Sequence, residues 1–215
     1  NVQAQTQEVF QKTSTSEPEG QVYQQEENLI VDTKSEENET FPKSIEVKTI
    51  GNVRQENVDV VKEALKLAPQ ELIDSFVENN WEVYVTDENL KQRYGLDKPA
   101  KALTNHTDHW IKYEDREDGI EVSTVMHENL GHYLEFAICH ITGINPATTQ
   151  EFIKIYEEEG ATFKENIADP GYIITNSREF FAEMYCYYIL DPSKCTPRGY
   201  EYVERQFNIL KERSL

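Results

Sequence analysis

The sequence is poor in basic residues and in long apolar runs, and each shortage excludes a class of protein. Lysine and arginine number 21 against 40 aspartate and glutamate residues, which gives a formal net charge of −19 at pH 7. This charge opposes binding to nucleic acid and docking on an anionic membrane surface. No apolar run approaches the roughly 18 residues that a membrane helix needs. We therefore expect neither a nucleic-acid partner nor a membrane span.

Cysteine is also scarce, with only Cys139, Cys186 and Cys195 in the chain. Three cysteines cannot all pair, and their spacing matches no zinc-knuckle pattern. We interpret them as free thiols, and a Cys186–Cys195 disulfide is the alternative if the protein is exported. The chain opens at Asn1 rather than at methionine, so we expect that a signal peptide has been removed or that the chain has been trimmed.

Composition divides the chain at about residue 48. Residues 1–48 are rich in glutamine, glutamate, serine and threonine, and they cannot bury enough apolar surface to offset chain entropy. We predict a disordered acidic tail or spacer there and one catalytic domain over residues 49–215. Apolar residues recur at helical spacing from Val53, whereas alternation over residues 81–87 and 108–115 indicates strands. These patterns predict an α+β fold in which a small, twisted sheet packs on several helices.

Capping signals set the expected limits of the later helices. Thr148 and Glu151 have the spacing of a capping box and open a helix that we expect Gly160 to end. Asn176 is a suitable N-cap for the next helix, and Pro192 is expected to stop it.

The segment His127-Glu128-Asn129-Leu130-Gly131-His132 differs by one residue from a zinc-peptidase motif. In H-E-x-x-H on a helix, two imidazoles at i and i+4 share one face and one zinc ion, and the glutamate serves as base for the attacking water. Here the histidines are five residues apart. At about 100° per residue, i+4 leaves an offset near 40°, whereas i+5 leaves about 140°. A regular α-helix therefore cannot direct both rings at one ion.

Two local structures are compatible with this spacing. A π-turn, with about 4.4 residues per turn, brings His127 and His132 back to within roughly 50°, and such turns concentrate at functional sites. In a regular helix, Glu128 and His132 would form the i, i+4 pair, and a zinc ion held there would lack a base. We predict the π-turn, between about Met126 and Gly131. Glycine adapts to a widened turn, and neutral imidazole is the better zinc ligand.

A third ligand is expected from the helix SREFFAEMYCYYI. Glu179 and Glu183 lie at i and i+4 on one face of this helix, among apolar residues that would bury that face. A carboxylate pair in such a position is costly unless a metal or a partner satisfies it. The alternative is that both acids face solvent near the helix N-terminus, where acids are favoured. The HENLGH segment favours the first interpretation.

At these residues the chain resembles the anthrax lethal factor–like zinc peptidases, which include the secreted Pro-Pro endopeptidases. The segments ATTQEFIKIYEEEG, SREFFAEMYCYYI and PRGYEYVERQF carry the resemblance, which covers roughly residues 53–215. It implies a zincin-like domain in which an active-site helix packs against a small mixed sheet. The family reads H-E-x-x-H, and Asn129 is the departure. Dipeptidyl peptidase III has a similar HExxGH segment, which shows that the longer spacing is compatible with an active zinc enzyme.

Transferred position by position, the resemblance implies a role for each residue of one zinc site. His127, His132 and Glu179 become zinc ligands, Glu128 the general base, Tyr172 the residue that stabilises the oxyanion, and Glu183 a residue that supports a ligand. The implied activity is that of a secreted zinc endopeptidase from a Gram-positive bacterium. We expect one zinc ion per chain, a monomer, and a peptide or protein substrate bound in extended form.

Three functions remain open at this stage. The first is an active zinc endopeptidase, the second a zincin fold that has lost catalysis and serves as a binding module, and the third an acidic interaction domain. Pro-Pro specificity is one option among several. Trp110 is expected to wall a substrate subsite or to pack in the core, and the strand around it to pair with the substrate. His106 and His109 suggest a second metal only weakly, and His140 is expected to be structural.

Overall fold

The computed structural model describes residues 42–166 and 175–213. Within these ranges four strands form one mixed sheet: β1 (Val47–Ile50), β2 (Glu82–Thr86), β3 (Ala102–Asn105) and β4 (Trp110–Glu114). The order across the sheet is β1-β2-β4-β3. Strands β1, β2 and β4 run parallel, and β3 is antiparallel to β4. The strand pairing confirms the small mixed sheet of the predicted α+β fold.

Eight α-helices accompany the sheet within the described ranges. They are α1 (Gln55–Leu65), α2 (Gln70–Glu78), α3 (Leu90–Tyr94), α4 (Val122–Val125), α5 (Tyr133–Thr142), α6 (Gln150–Asn166), α7 (Ser177–Leu190) and α8 (Pro197–Arg213). Short 3-10 turns lie at Pro146–Thr148 and Pro192–Lys194. None of these helices has both the length and the apolar character needed to cross a membrane.

One face of the sheet packs on the helical core. Val83 and Val85 of β2, with Ile111 and Tyr113 of β4, are fully buried. Their spacing by two residues follows from strand geometry, in which alternate side chains point to the same face. The Tyr113 hydroxyl donates to the carbonyl oxygen of Val125 at 3.3 Å. This contact brings the buried face of β4 directly against the start of the long helix at residues 122–142.

The predicted strands at residues 81–87 and 108–115 are confirmed as β2 and β4. Strands β1 and β3 were not predicted, since each has only four residues and neither alternates clearly between apolar and polar positions. Strand β1 crosses the boundary predicted after residue 48. Residues 1–41 lie outside the described ranges, so the disordered tail remains a prediction.

The capping predictions are partly confirmed. Asn176 caps α7, because its side-chain oxygen accepts from the backbone N–H groups of Arg178 and Glu179 at 2.9 and 3.1 Å. The cap of α6 is Thr149 rather than Thr148, since the Thr149 hydroxyl accepts from the Phe152 N–H at 3.1 Å.

Of the two predicted helix ends, the one at Gly160 is wrong and the one before Pro192 is confirmed. Helix α6 continues beyond Gly160 to Asn166, so the predicted stop is wrong. A glycine inside a helix costs only about 1 kcal/mol, and the fully buried Phe163 packs in the core beyond it. Helix α7 ends at Leu190, before Pro192, as predicted.

Candidate metal centre

The widened helical turn predicted from the histidine spacing is present. Helix α4, a π-helical segment at Met126–His132 and helix α5 form one continuous helix over residues 122–142, called the central helix below. The π segment begins at Met126, as predicted, and ends at His132, one residue beyond the expected limit. Because each π-turn holds about 4.4 residues, the five-residue spacing becomes close to one turn.

The π segment brings both histidines to one carboxylate. The His127 Nε2 atom lies 3.2 Å from the Glu179 Oε2 atom, and the His132 Nε2 atom lies 3.7 Å from the same oxygen. One ligand atom from each of these three residues lies within 4.8 Å of the other two. The structure thus assembles His127, His132 and Glu179 from two separate helices, which the regular-helix alternative would not allow.

These three side chains suit a zinc ion in number, chemistry and spacing. Two imidazole nitrogens and one carboxylate oxygen form a donor set typical of catalytic zinc, which keeps a fourth position open. Ligand atoms at about 2.0–2.1 Å from a tetrahedral ion stand roughly 3.3 Å apart. The observed separations of 3.2 and 3.7 Å from the Glu179 oxygen are close to that value.

Each histidine also has a second glutamate behind it. The His127 Nδ1 atom lies 2.8 Å from the Glu183 Oε2 atom, and the His132 Nδ1 atom lies 3.5 Å from the Glu135 Oε2 atom. Both glutamates are buried. A carboxylate behind a histidine ligand fixes the tautomer and orientation of the ring. Glu183, to which the resemblance gives a supporting role, thus contacts His127, whereas Glu135 was not predicted.

The carboxylates govern the protonation of the ligands. Burial lowers the pKa of His127, but hydrogen bonds to Glu179 and Glu183 raise it to about 10. Burial likewise opposes the charged form of His132, and the neighbouring carboxylates of Glu135 and Glu179 raise its pKa to about 9. Burial raises the pKa of Glu179, but the hydrogen bonds to the two histidines hold it well below its usual range. Proton binding at the two Nε2 atoms would therefore compete with metal binding there.

Asn129, the residue by which the motif departs from H-E-x-x-H, points into the core. It is fully buried, and its side-chain oxygen accepts a hydrogen bond from the hydroxyl of Tyr113 on β4. Its amide nitrogen is buried and has no hydrogen-bond partner in the described part of the chain. The extra residue of the π segment is thus held against the sheet by one hydrogen bond.

Gly131 is required for space rather than for backbone freedom. A Cβ atom at this position would lie 2.5 Å from the Cα atom and 2.6 Å from the carbonyl oxygen of Ala182. Ala182 lies on α7 between Glu179 and Glu183. The absent side chain therefore lets the two helices approach closely enough for both glutamates to reach the histidines. The sequence predicts a role for this glycine, but the reason is the space it leaves and not its adaptation to a widened turn.

The Glu128 side chain is hydrogen-bonded to the sheet. Its Oε2 atom accepts a hydrogen bond of 2.5 Å from the hydroxyl of Thr104 on β3. This contact places the predicted base beside β3, which forms one edge of the sheet in the described residues. Thr104 was not predicted, because a single threonine in a short strand carries no sequence signal.

The remaining predicted site residues are Tyr172 and Trp110. Tyr172 lies outside the described residues. Trp110 belongs to the face of β4 opposite the buried Tyr113, and its indole packs against Tyr94 and Lys112. The structure therefore does not bring Trp110 to the histidine cluster. The prediction that its strand pairs with a substrate is wrong, because β2 and β3 occupy both edges of β4.

The structure also describes the histidines outside the motif and the three cysteines. The His109 ring stacks on Trp81 with centroids 5.3 Å apart, and His140 stacks on Phe136 at 5.9 Å, so both have packing contacts. His106 instead has a ring nitrogen within 4.8 Å of ligand atoms of both His132 and Glu135. The three cysteines are free thiols.

Substituting Gly131 tests the close approach of the two helices. We expect Gly131→Ala to lower the free energy of unfolding by about 1–3 kcal/mol, because the new methyl group collides with the backbone of Ala182. Denaturant unfolding measures the change. Adding Ala182→Gly should restore little of the loss, since the Cα atom and the carbonyl oxygen remain in place. Unchanged stability in Gly131→Ala would contradict the packing argument.

Deleting Asn129 tests whether the π-turn exists to accommodate one extra residue. The deletion gives H-E-L-G-H, whose i, i+4 histidines share one face of a regular helix. We expect the shortened protein to fold and to bind one zinc ion with an affinity within about tenfold, or about 1.4 kcal/mol, of the parent. Zinc titration and thermal unfolding provide the measurements.

Deleting Cys139 from α5 is the matched control for this experiment. It also shortens the central helix by one residue, but it rotates the following residues by about 100° with no π-turn to absorb the change. We expect that deletion to destabilise the protein, because it turns Ile141 away from the core against which it packs. A folded protein that lacks Asn129 and binds no zinc would contradict the interpretation.

Comparisons with known proteins agree with this architecture. No protein-family profile and no curated protein matches the chain. Among solved structures, the fold is similar to that of the Pro-Pro endopeptidase from Paenibacillus alvei. The TM-score is 0.53 at 16% sequence identity, and the match covers 76% of this chain and 96% of that chain. At this identity the likeness concerns the fold alone. Together with the mixed sheet and the surrounding helices, it confirms the predicted α+β fold.

Proposed function

We propose that this chain is a zinc-dependent endopeptidase. The observation that carries the proposal is the convergence of His127, His132 and Glu179 through the π segment, beside a glutamate that follows the first histidine. Two histidines, one acid and an adjacent base are the minimum set for hydrolysis by a zinc-activated water. All of these residues come from one chain, so we propose one zinc ion per chain and a monomer.

The three proposed ligands would hold a zinc ion, and the carboxylates behind the two histidines would orient their rings. When bound, zinc polarises the scissile carbonyl and lowers the pKa of the attacking water toward 7. His127 and His132 present their Nε2 atoms, and Glu179 presents its Oε2 atom. Glu183 accepts from the Nδ1 atom of His127 and so fixes the tautomer in which Nε2 is free to bind.

Glu128 acts in this proposal as the general base. It takes a proton from the attacking water and returns it to the leaving amine, a role that requires a carboxylate beside the ion rather than on it. The Thr104 hydroxyl donates to this carboxylate and limits its motion. Tyr172 is proposed to donate a hydrogen bond to the oxyanion, because the resemblance to lethal factor–like peptidases assigns a tyrosine to that role.

The substrate is proposed to bind along β3 as an extended peptide. Strand β3 is an edge strand in the described part of the sheet, so its outer backbone groups are available for pairing. The hydrogen bond from Thr104 to Glu128 places this edge next to the proposed base. A peptide that adds a strand at β3 would therefore pass close to the zinc ligands.

Substrate sequence and cellular location are proposed on the resemblance alone. The similar solved structure is that of a Pro-Pro endopeptidase, which makes proline-containing peptides the first class to test. We propose secretion from a Gram-positive bacterium, because the peptidases that the two motifs resemble are secreted. The residues before β1 are proposed to be a tail or spacer ahead of the catalytic domain.

A catalytically inactive binding module is the second candidate function. It follows from a helix in which His127 turns away from Glu179, leaving Glu128 as a ligand. The distance of 3.2 Å between His127 Nε2 and Glu179 Oε2 favours the active arrangement instead.

Replacing the base tests catalysis separately from metal binding. We expect Glu128→Ala to retain one zinc ion and the fold but to lower peptide hydrolysis by about 10²–10⁴-fold, since the residue is a base and not a ligand. Glu179→Ala should lose the metal as well. The measurement is digestion of a peptide library that includes Pro-Pro sequences, read by mass spectrometry, with zinc content determined in parallel. Full hydrolysis by the Glu128 variant would contradict the assigned role.

The protonation of the ligands predicts a dependence on pH. The pKa values of His127 and His132 are raised from 6.5 to about 10 and about 9, so their stabilising effect is complete below pH 6.5 and is lost as the pH rises through 9–10. The lowered pKa of Glu179 stabilises the fold above its usual value of 4.5, and that effect is lost in acid. The metal-free protein should therefore lose stability from pH 6.5 toward pH 9.

Zinc requires deprotonated ligands, so the stabilisation it provides should grow over the same range. We expect the difference in melting temperature between zinc-loaded and chelator-treated protein to be larger at pH 8.5 than at pH 6. Comparing the two forms at each pH cancels effects of overall charge. The exposed His140 provides a control, because His140→Gln should leave the profile unchanged. A difference that does not vary with pH would contradict the proposed ligands.

A further inference from the structure

Two buried polar atoms next to the proposed zinc site face each other, and neither has another partner among the described residues. They are the Nδ1 atom of His132 and the Oε2 atom of Glu135, which are 3.5 Å apart. His132 is only 9% exposed and Glu135 only 1%. A buried nitrogen and a buried carboxylate oxygen are both costly unless paired. Because the two atoms face each other, each is the available hydrogen-bond partner of the other.

The other oxygen of Glu135 is fully engaged. Its Oε1 atom accepts from the Arg178 Nε atom at 2.6 Å and from the Asn145 side-chain nitrogen at 2.5 Å. The two donors hold the carboxylate from one side, so Oε2 is directed at His132. This geometry repeats, on the second histidine, the contact of 2.8 Å between Glu183 and His127.

We propose that Glu135 is a positioning residue that accepts the Nδ1 proton of His132 and thereby presents the Nε2 atom to zinc, with Arg178 and Asn145 fixing Glu135. The inference rests on the proposed zinc site and adds a residue to it. A slight rotation of the imidazole shortens the 3.5 Å separation to a normal hydrogen bond.

Arg178 also links the two helices that carry the proposed zinc ligands. It immediately precedes Glu179 in the first turn of α7, so its contact with Glu135 ties the helix that carries the third ligand to the central helix. Loss of Arg178 would release Glu135 and the start of α7 together. A buried carboxylate that loses its cation is strongly destabilised, so Arg178→Gln should affect both stability and zinc affinity.

A second metal ion at His106, His132 and Glu135 is the rival interpretation, since ligand atoms of these three residues lie within 4.8 Å of one another. It requires the His132 ring to bind an ion at each nitrogen, and hence to lose both ring protons. The Arg178 guanidinium also lies against the same carboxylate and repels a further cation. The pairing of Glu135 with an Nδ1 proton avoids both costs.

The comparison of Glu135→Gln with Glu135→Ala tests the proposal. In Glu135→Gln, the two donors Arg178 and Asn145 attract the new amide oxygen, so the amide NH₂ faces His132 and favours the tautomer protonated at Nε2. That tautomer cannot bind zinc. We therefore expect Glu135→Gln to weaken zinc binding by about 10–100-fold, at least as much as Glu135→Ala does, although it is the more conservative change. Glu151→Gln, which breaks a pair with Arg205 on the surface, should leave the affinity unchanged.

The readouts are zinc affinity by chelator competition, the visible spectrum of the cobalt-substituted protein, and the ¹⁵N chemical shifts of the His132 ring. In the zinc-loaded parent, Nδ1 should carry the proton, and in Glu135→Gln the cobalt spectrum should change. A general loss of folding would show in thermal unfolding and would not reverse the order of the Gln and Ala variants. Unchanged affinity and spectrum in Glu135→Gln would overturn the positioning role while leaving the zinc site intact.

Metal stoichiometry separates the remaining outcomes. One zinc ion per chain in both the parent and His106→Ala is expected. Two ions in the parent, falling to one in His106→Ala, would overturn the proposal in favour of the second metal. A parent chain that binds no zinc would overturn the zinc site itself, and the positioning role with it.

Discussion

The structure depends on one geometric constraint, which is that two histidines five residues apart reach the same Glu179 carboxylate. A regular α-helix separates them by about 140°, and the π segment removes most of that angle. The widened turn then needs support, because it interrupts the usual hydrogen-bond pattern of the helix. Tyr113 supports it from the sheet through Asn129, and α7 packs against it where Gly131 leaves room. The π segment is therefore the point at which the sheet, the central helix and α7 meet.

A second constraint is the burial of charge. Glu135 and Glu183 are almost fully buried, and Glu179 is only 30% exposed at the side chain. Buried carboxylates are tolerated only when cations and hydrogen-bond donors surround them. In the metal-free protein the two protonated imidazoles and Arg178 fill that role. A zinc ion in place of the two Nε2 protons would supply the same positive charge and so would balance the same acids.

The sequence allowed the centre of the site to be predicted but not its surroundings. Helical geometry turns the spacing of His127 and His132 into a definite requirement, and the carboxylate pair on α7 stands out in an apolar helix. Glu135 has the same signal, an acid in the apolar segment YLEFAICHI, and was overlooked. Thr104 carried no signal, because its role arises only when β3 comes to lie beside the central helix. Likewise, nothing local in α6 indicated that packing of Phe163 would carry the helix beyond Gly160.

X-ray absorption at the zinc edge of the loaded protein counts the imidazoles bound to the ion, and so it tests whether both histidines of the π segment are ligands. We expect two histidine ligands, with nitrogen and oxygen neighbours at about 2.0–2.1 Å, and the loss of one imidazole in either His127→Ala or His132→Ala. A spectrum with a single imidazole that is unchanged in His127→Ala would contradict it, because the π segment would then not bring both histidines to one zinc ion.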